Sequence, residues 1–227
     1  KSVASPLDSS AVFVKDKNFV YSLDDKKYEN ATIVVASERK KEKLKKSLGK
    51  IEILTVAEAK GLERNTVILA DVLSDSIDKW QYLENLSLNR KTADENSVYR
   101  YYFNLFYVGI SRAKQHLFVC EREYPKSFES LFNEKFERKS KEDALAYLKE
   151  CAGRILIDDG ELTERIEKFC SLGQYANARD SADRMSDERK REEELAYIFV
   201  HEKYLRFSSF REAGVEYWRR GLDAQAR

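Results

Sequence analysis

Cysteine, histidine, proline and methionine are all scarce. The 227 residues include three cysteines, two histidines, two prolines and one methionine. Cys120, Cys151 and Cys170 are odd in number and have no metal-ligand spacing, so with only two histidines a zinc site is not expected. Such usage fits a reducing, cytoplasmic compartment. No apolar run nears the ~20 residues of a membrane helix, and the opening KSVASPLDSS lacks the apolar stretch of a secretory signal, so no membrane partner is expected. An excess of one charge is missing too, with 41 Lys and Arg against 40 Asp and Glu. Any nucleic-acid binding must therefore come from a local patch. The chain starts at Lys1 without Met, as expected of a processed chain or a fragment of something longer. What is present is 42% hydrophobic and 12% aromatic residues, enough for one substantial domain and a smaller one.

Between residues 11 and about 125, short β-rich runs alternate with helical stretches, the pattern of an α/β layer fold. Strands are expected at AVFVK (11–15), FVYSL (19–23), TIVVA (32–36), KIEILT (50–55), TVILADV (66–72) and HLFVCE (116–121). Three of these are continuous apolar runs, as in strands covered on both faces. SERKKEKLKKSLG, with Ser37 as a cap and Leu44 and Leu48 four apart, reads as a crossover helix stopped by Gly49. Residues 74–98 are polar and weakly periodic, an expected insertion with at most short helices around KWQYLENL. After 126 the pattern is helical, with Leu162, Ile166, Phe169 and Cys170 on one face. Tyr175, Ala178 and Ala182 recur 35 residues later as Phe210, Ala213 and Tyr217. That period suits a tetratricopeptide-type hairpin array as well as an ordinary helical bundle.

Two segments carry the chemistry. In TVAEAKGLERNTVILAD (55–71), Thr55 ends one strand, Lys60-Gly61-Leu62-Glu63 turns, and another strand begins. Gly61 allows either an unusual backbone angle or the close approach of a ligand, and a polar turn is the plainer reading. In VYRYYFNLFYVGISRAK (98–114) an aromatic stripe leads into Ser111 and Arg112 at a helix-to-strand corner. The stripe reads as core. An arginine held at such a corner suits bidentate recognition of phosphate, and a salt bridge to an acidic neighbour is the alternative.

Taken together, Thr55–Glu63 and Tyr107–Lys114 resemble two motifs of the second RecA-like domain of UvrD/Rep-type superfamily 1 DNA helicases. In that family the first motif reads approximately Thr-x-His-x-x-Lys-Gly-Leu-Glu and the second Tyr-Val-x-x-Thr-Arg-Ala-Lys. The resemblance covers residues 10–125, and TIVVASERKKEKLKKSL is similar to the strand and helix that precede these motifs. It implies an α/β, RecA-like three-layer domain with a mostly parallel sheet over 1–125, followed by an all-α helical-hairpin region over 126–227. It also implies that Arg112 is the arginine finger reaching the γ-phosphate of ATP held by an N-terminal RecA-like domain. Glu63 would contact the nucleotide sugar, with Gly61 permitting its approach. Thr55, Lys60 and Ser111 would serve the single-stranded DNA track or its coupling loop. Ala57 departs from the family's His, Ser111 replaces Thr, and Phe103 and Asn104 stand where charged residues are usual.

The basic stretch Arg39–Lys50 is either a solvated face or a contact for nucleic-acid phosphates. Trp80, Tyr82, Tyr99, Tyr101 and Tyr102 are core aromatics or base-stacking platforms. None of the eight glycines lies in a G-x-x-x-x-G-K-[ST] loop, and no acidic Mg²⁺ motif follows a strand. ATP and Mg²⁺ are thus cofactors expected of the full-length protein, with neither bound stably by this chain alone. Two functions remain open: the C-terminal half of an ATP-dependent DNA motor, or a helicase-derived scaffold whose helical tail binds a protein partner. Because phosphoryl transfer needs charge neutralisation from both halves of the site, the purified chain should turn over no ATP above background. Measurable hydrolysis that Arg112→Ala abolishes would overturn this expectation.

Overall fold

The computed structural model describes residues 9–24, 27–49, 51–86, 97–153 and 157–204. The chain divides into two compact units, residues 1–156 and 157–227. The first is built on six strands: β1 (Ser10–Val14), β2 (Thr32–Val35), β3 (Glu52–Thr55), β4 (Arg64–Ala70), β5 (Ala113–Cys120) and β6 (Glu137–Arg138). They lie in the order β3-β2-β4-β5-β1-β6, and every pairing is parallel.

Parallel neighbours need crossovers, and helices supply them on both faces. Helix α1 (Glu38–Lys45) joins β2 to β3, while α2 (Ile77–Leu86) and α3 (Ser97–Ile110) fall between β4 and β5. Then come α4 (Glu129–Lys135) and α5 (Lys141–Gly153). One sheet face offers Val12, Val14, Ile33, Val35, Ile53, Ile68 and Phe118 to Leu44 and Leu48 of the α1 region and to Ala144, Leu148 and Cys151 of α5. The alternate residues look the other way. There Phe13 stacks on Phe132 with ring centroids 4.1 Å apart, and Phe128 meets both Trp80 and Phe106 edge-on. A three-layer α/β/α unit results, and Trp80 is a core residue at 1% exposure.

The structure departs from the sequence reading at three places. FVYSL is a 3-10 turn, Val20–Ser22, in which Ser22 and Leu23 donate to the carbonyls of Phe19 and Val20. Its buried positions, Phe19, Val20 and Leu23, follow a helical spacing rather than strand alternation. Ser37 stands at the start of α1 in extended geometry, yet its side chain makes no capping bond. The sheet, expected to be mostly parallel, is parallel throughout. Finally, the α/β unit runs past the expected boundary at 125, because β6 pairs with β1 and α5 closes one face of the core. β6 escaped notice because it is two charged residues long.

The second unit holds α6 (Asp159–Ser171), α7 (Tyr175–Ala182) and α8 (Glu188–Tyr204) among the described residues. Asp158 caps α6 by accepting from the Glu161 N–H, and the carboxylate of Asp159 accepts from Ser186 and Asp187 at the entrance to α8. Gly173, at φ 71°, ends α6 in the left-handed conformation. Leu162, Ile166, Phe169 and Cys170 are buried together with Ala178 and Ala182. The second copy of the 35-residue repeat, Phe210 to Tyr217, lies outside the described residues, as does the 87–96 part of the expected insertion.

One glycine fixes the spacing of α3 on the sheet. A Cβ on Gly109 would sit 2.5 Å from Cδ1 of Leu69, which is fully buried near the C-terminal end of β4. Gly109→Ala should therefore cost about 1–3 kcal/mol, the usual range for overpacking, read as a lowered denaturant midpoint at unchanged slope.

Candidate nucleotide corner and anion cleft

Two regions of the α/β unit collect functional chemistry, and they lie at opposite edges of one sheet. Val14, Val35, Thr55, Ala70 and Cys120 form a single row across the strands at their C-terminal ends. Arg64 pairs with Ala113 at the N-terminal edge of β4 and β5.

At the N-terminal edge the two sequence motifs meet. The Arg112 guanidinium donates from Nε to the Val108 carbonyl at 2.9 Å, from one terminal nitrogen to the Leu62 carbonyl at 3.2 Å, and from the other to Ser111 Oγ at 2.8 Å. In return the Arg64 N–H donates to the Arg112 carbonyl at 2.9 Å. Ser111 Oγ itself donates to Val108 O, so it serves as both prop and acceptor. All of Arg112's partners are neutral, and among the described residues it makes no ion pair. The salt-bridge alternative is thereby set aside. Of five guanidinium N–H groups, one on each terminal nitrogen is left for another acceptor.

Arg64 shows the contrast. It grips Glu52 through two bonds of 2.7 and 2.9 Å, both side chains are largely covered, and Thr32 adds a third bond to the same carboxylate. That arginine is spent on holding the edge together. Glu63, next to it, is exposed and only loosely near Lys114 at 3.9 Å. Lys60 is exposed as well. Gly61 has φ 80° with open space where a Cβ would be. Its reason is therefore the left-handed backbone of the turn, not a crowded neighbour.

Thr55 sits apart from this corner, at the C-terminal edge and buried. Its N–H and hydroxyl both donate to Glu58, whose own N–H donates back to Thr55 Oγ1 at 3.2 Å. This reciprocal capping box starts the turn that leads to Lys60. The expected site residues thus fall into two sets. Gly61, Glu63, Ser111 and Arg112 gather at one edge, while Thr55 belongs to the other.

That other edge opens into a cleft of about 700 Å³ over the strand ends. Five cations, Lys17, Arg39, Lys40, Lys43 and Arg122, line it with two acids, Asp71 and Asp75, so its walls carry a net charge of +3 (five minus two). Tyr21, Tyr101 and Tyr102 add aromatic surface, and Lys43 Nζ lies 5.2 Å from the Tyr21 ring centroid. Asp71 is a non-glycine residue at φ 53°, bonded to Lys40 at 2.6 Å and to the Arg122 N–H at 3.1 Å. Asp75 receives both cations again, at 3.2 Å from Lys40 and 2.9 Å from Arg122. Behind this network the carboxylate of Glu121 is fully buried and accepts from the N–H groups of Leu73 and Ser74 and from the Ser74 hydroxyl. Burial pushes Glu121 up to about 8, although these three donors pull it down. Sequence reasoning missed Asp71, Asp75 and Arg122. The available signal was their position, since charged residues directly after apolar strands reach the ligand-binding edge of a parallel sheet.

Comparison with known proteins decides the family of this unit. Residues 23–124 match the family described as the UvrD-like helicase C-terminal domain. This segment is a UvrD-like helicase C-terminal domain. A search of curated proteins finds no match to the chain. The matched residues include both edges, the Arg112 corner and most of the cleft, and stop short of α4 and β6. No helix of the described residues is long and apolar enough to cross a membrane. No described group of His, Cys, Asp or Glu is arranged to hold a metal ion.

Glu121 makes the UvrD-like domain's stability depend on pH in a definite direction. Its folded carboxyl holds a proton up to about pH 8, whereas the unfolded one releases it near its ordinary value of 4.5. Protons thus bind more tightly to the folded state, and its stability falls as pH rises through that window. The thermal midpoint should fall steadily between about pH 5 and 8, and Glu121→Gln should remove that slope. A flat wild-type profile would show that the three donors already keep Glu121 ionised at pH 5.

Proposed function

We propose that the α/β unit is the C-terminal motor half of an ATP-dependent DNA helicase, supplying an arginine finger and part of the single-stranded DNA track. The observation that carries this reading is Arg112: a guanidinium fixed by three neutral acceptors, with no carboxylate partner among the described residues and two N–H groups to spare. Such a group is preorganised for the charge that builds on a transferring γ-phosphoryl group. ATP and Mg²⁺ would be held by an N-terminal RecA-like domain carrying a Walker A loop, and that domain is the partner of this edge. Glu63 is exposed, one residue beyond the Leu62 carbonyl that anchors Arg112, which supports its role as a contact to the nucleotide sugar. The cationic, aromatic-lined cleft on the other edge suits the phosphates and bases of a single strand. Arg39 and Lys43 come from the basic stretch noted in the sequence, which therefore has one functional face.

A second reading, a helicase-derived scaffold whose helical region binds a protein, is favoured by one observation. Ala57 has no side-chain donor where the family has His, and the Thr55 hydroxyl is already engaged by Glu58. It leaves the unpaired charge of Arg112 unexplained.

The test joins this chain to a Walker A-bearing first domain and measures DNA-stimulated ATP turnover. Arg112→Ala should lower kcat by about 10³–10⁵, the range for arginine fingers. Arg112→Lys keeps the charge but loses the fork, so it should keep the fold by circular dichroism yet recover little turnover. Full turnover with Arg112→Ala would eliminate the motor reading.

A further inference from the structure

Residues 56–63 leave the C-terminal edge of the sheet after β3 and enter β4 at the N-terminal edge. β4 is seven residues long, so the two edges are roughly 20 Å apart. The Arg112 corner and the cleft therefore share one short piece of chain. Both of its ends are tied by side chains. At the far end, the Leu62 carbonyl accepts from Arg112. At the near end, Glu58 holds Thr55 through one carboxylate oxygen and accepts from Lys41 Nζ through the other. Backbone bonds from Ala59 to the Thr55 carbonyl and from Leu62 to the Ala59 carbonyl stiffen what lies between.

Lys41 is the unusual member. It is a lysine on the most basic helix of the chain, yet its side chain is only 5% exposed, turned inward to Glu58 at 23%. Its neighbours Arg39, Lys40 and Lys43 line the cleft, and Lys41 does not. The ammonium also lies 3.7 Å from Glu38 on its own helix, but its closest carboxylate is Glu58, so the tie runs from α1 to the turn. A displacement of α1 by an anion in the cleft would be passed along this pair to Glu58.

We propose that the Lys41–Glu58 pair is a strut linking nucleic-acid occupancy of the cleft to the presentation of Arg112, with both as positioning residues. This rests on the reading of the cleft as a nucleic-acid track. It gives Glu58, next to Ala57, the task of connecting the turn to α1. Because coupling is reciprocal, a partner docked on Arg112 would tighten or loosen the cleft by the same factor.

The test uses the whole chain, a fluorescein-labelled oligo(dT) at low salt, and hydrogen exchange of residues 59–64 and 111–113. In the wild type, bound oligonucleotide should slow exchange in both segments at least about 5-fold, the low end of typical coupling factors. Glu58→Gln should bind oligo(dT) within about 2-fold of wild type, since Glu58 does not line the cleft, but lose the response. The swapped pair Lys41→Glu/Glu58→Lys should restore it, which a merely structural contact to Thr55 would not. If Glu58→Gln fails to fold by circular dichroism, Lys41→Met makes the same comparison with the capping box intact. A retained response in the single variants, or none in the wild type with oligonucleotide bound, overturns the strut. Failure of the wild type to bind oligo(dT) instead overturns the reading of the cleft.

Discussion

One hydrogen bond, from the Arg112 guanidinium to the Leu62 carbonyl, joins residues 50 positions apart and makes one site of two motifs. With the Arg64 N–H donated to the Arg112 carbonyl, it ties the Gly61–Glu63 turn to the Ser111–Lys114 corner. The bond exists because β4 and β5 are parallel neighbours whose N-termini begin level, Arg64 opposite Ala113. It in turn depends on α3 lying close against β4, which a glycine at 109 allows. Sheet register, helix approach and side-chain reach therefore converge on one guanidinium.

The distribution of counter-charges separates structural cations from available ones. Arg64 and Lys41 are covered and matched by carboxylates, so they hold elements together. Lys40 and Arg122 occupy a middle position, facing the cleft while shared between Asp71 and Asp75. Arg112 alone among these five is fastened without a carboxylate. A net charge of +1 conceals this sorting, which lies in the pairing of each cation.

How much of this was legible in the sequence follows from the range of the interactions involved. β1 to β5 could be read because each is a short β-rich run, three of them continuously apolar, and the Arg112 corner because both of its halves have recognisable local spelling. The boundary at 125 could not be, since β6 carries no hydrophobic signal and is a strand only because β1 is beside it. Asp71, Asp75 and Arg122 come from two strand ends about 50 residues apart and meet only through register. Lys41 was hidden differently: in a run of lysines nothing distinguishes the one that turns inward. Thr55 was expected near the DNA track or its coupling loop and lies at the C-terminal edge, but its capping bond to Glu58 could not be read from the sequence.

The three thiols have a practical consequence. Cys120 and Cys151 lie in the core of the α/β unit and Cys170 in that of the helical unit, none in a disulfide and all buried. Burial also pushes the Cys120 thiol well above its ordinary range and Cys170 up to about 11, so little reactive thiolate is present at neutral pH. A thiol-modifying reagent is therefore excluded both sterically and chemically until a unit opens. Two labels then register opening of the sheet and one that of the helices, which makes this chain its own stoichiometric mass tag for partial unfolding.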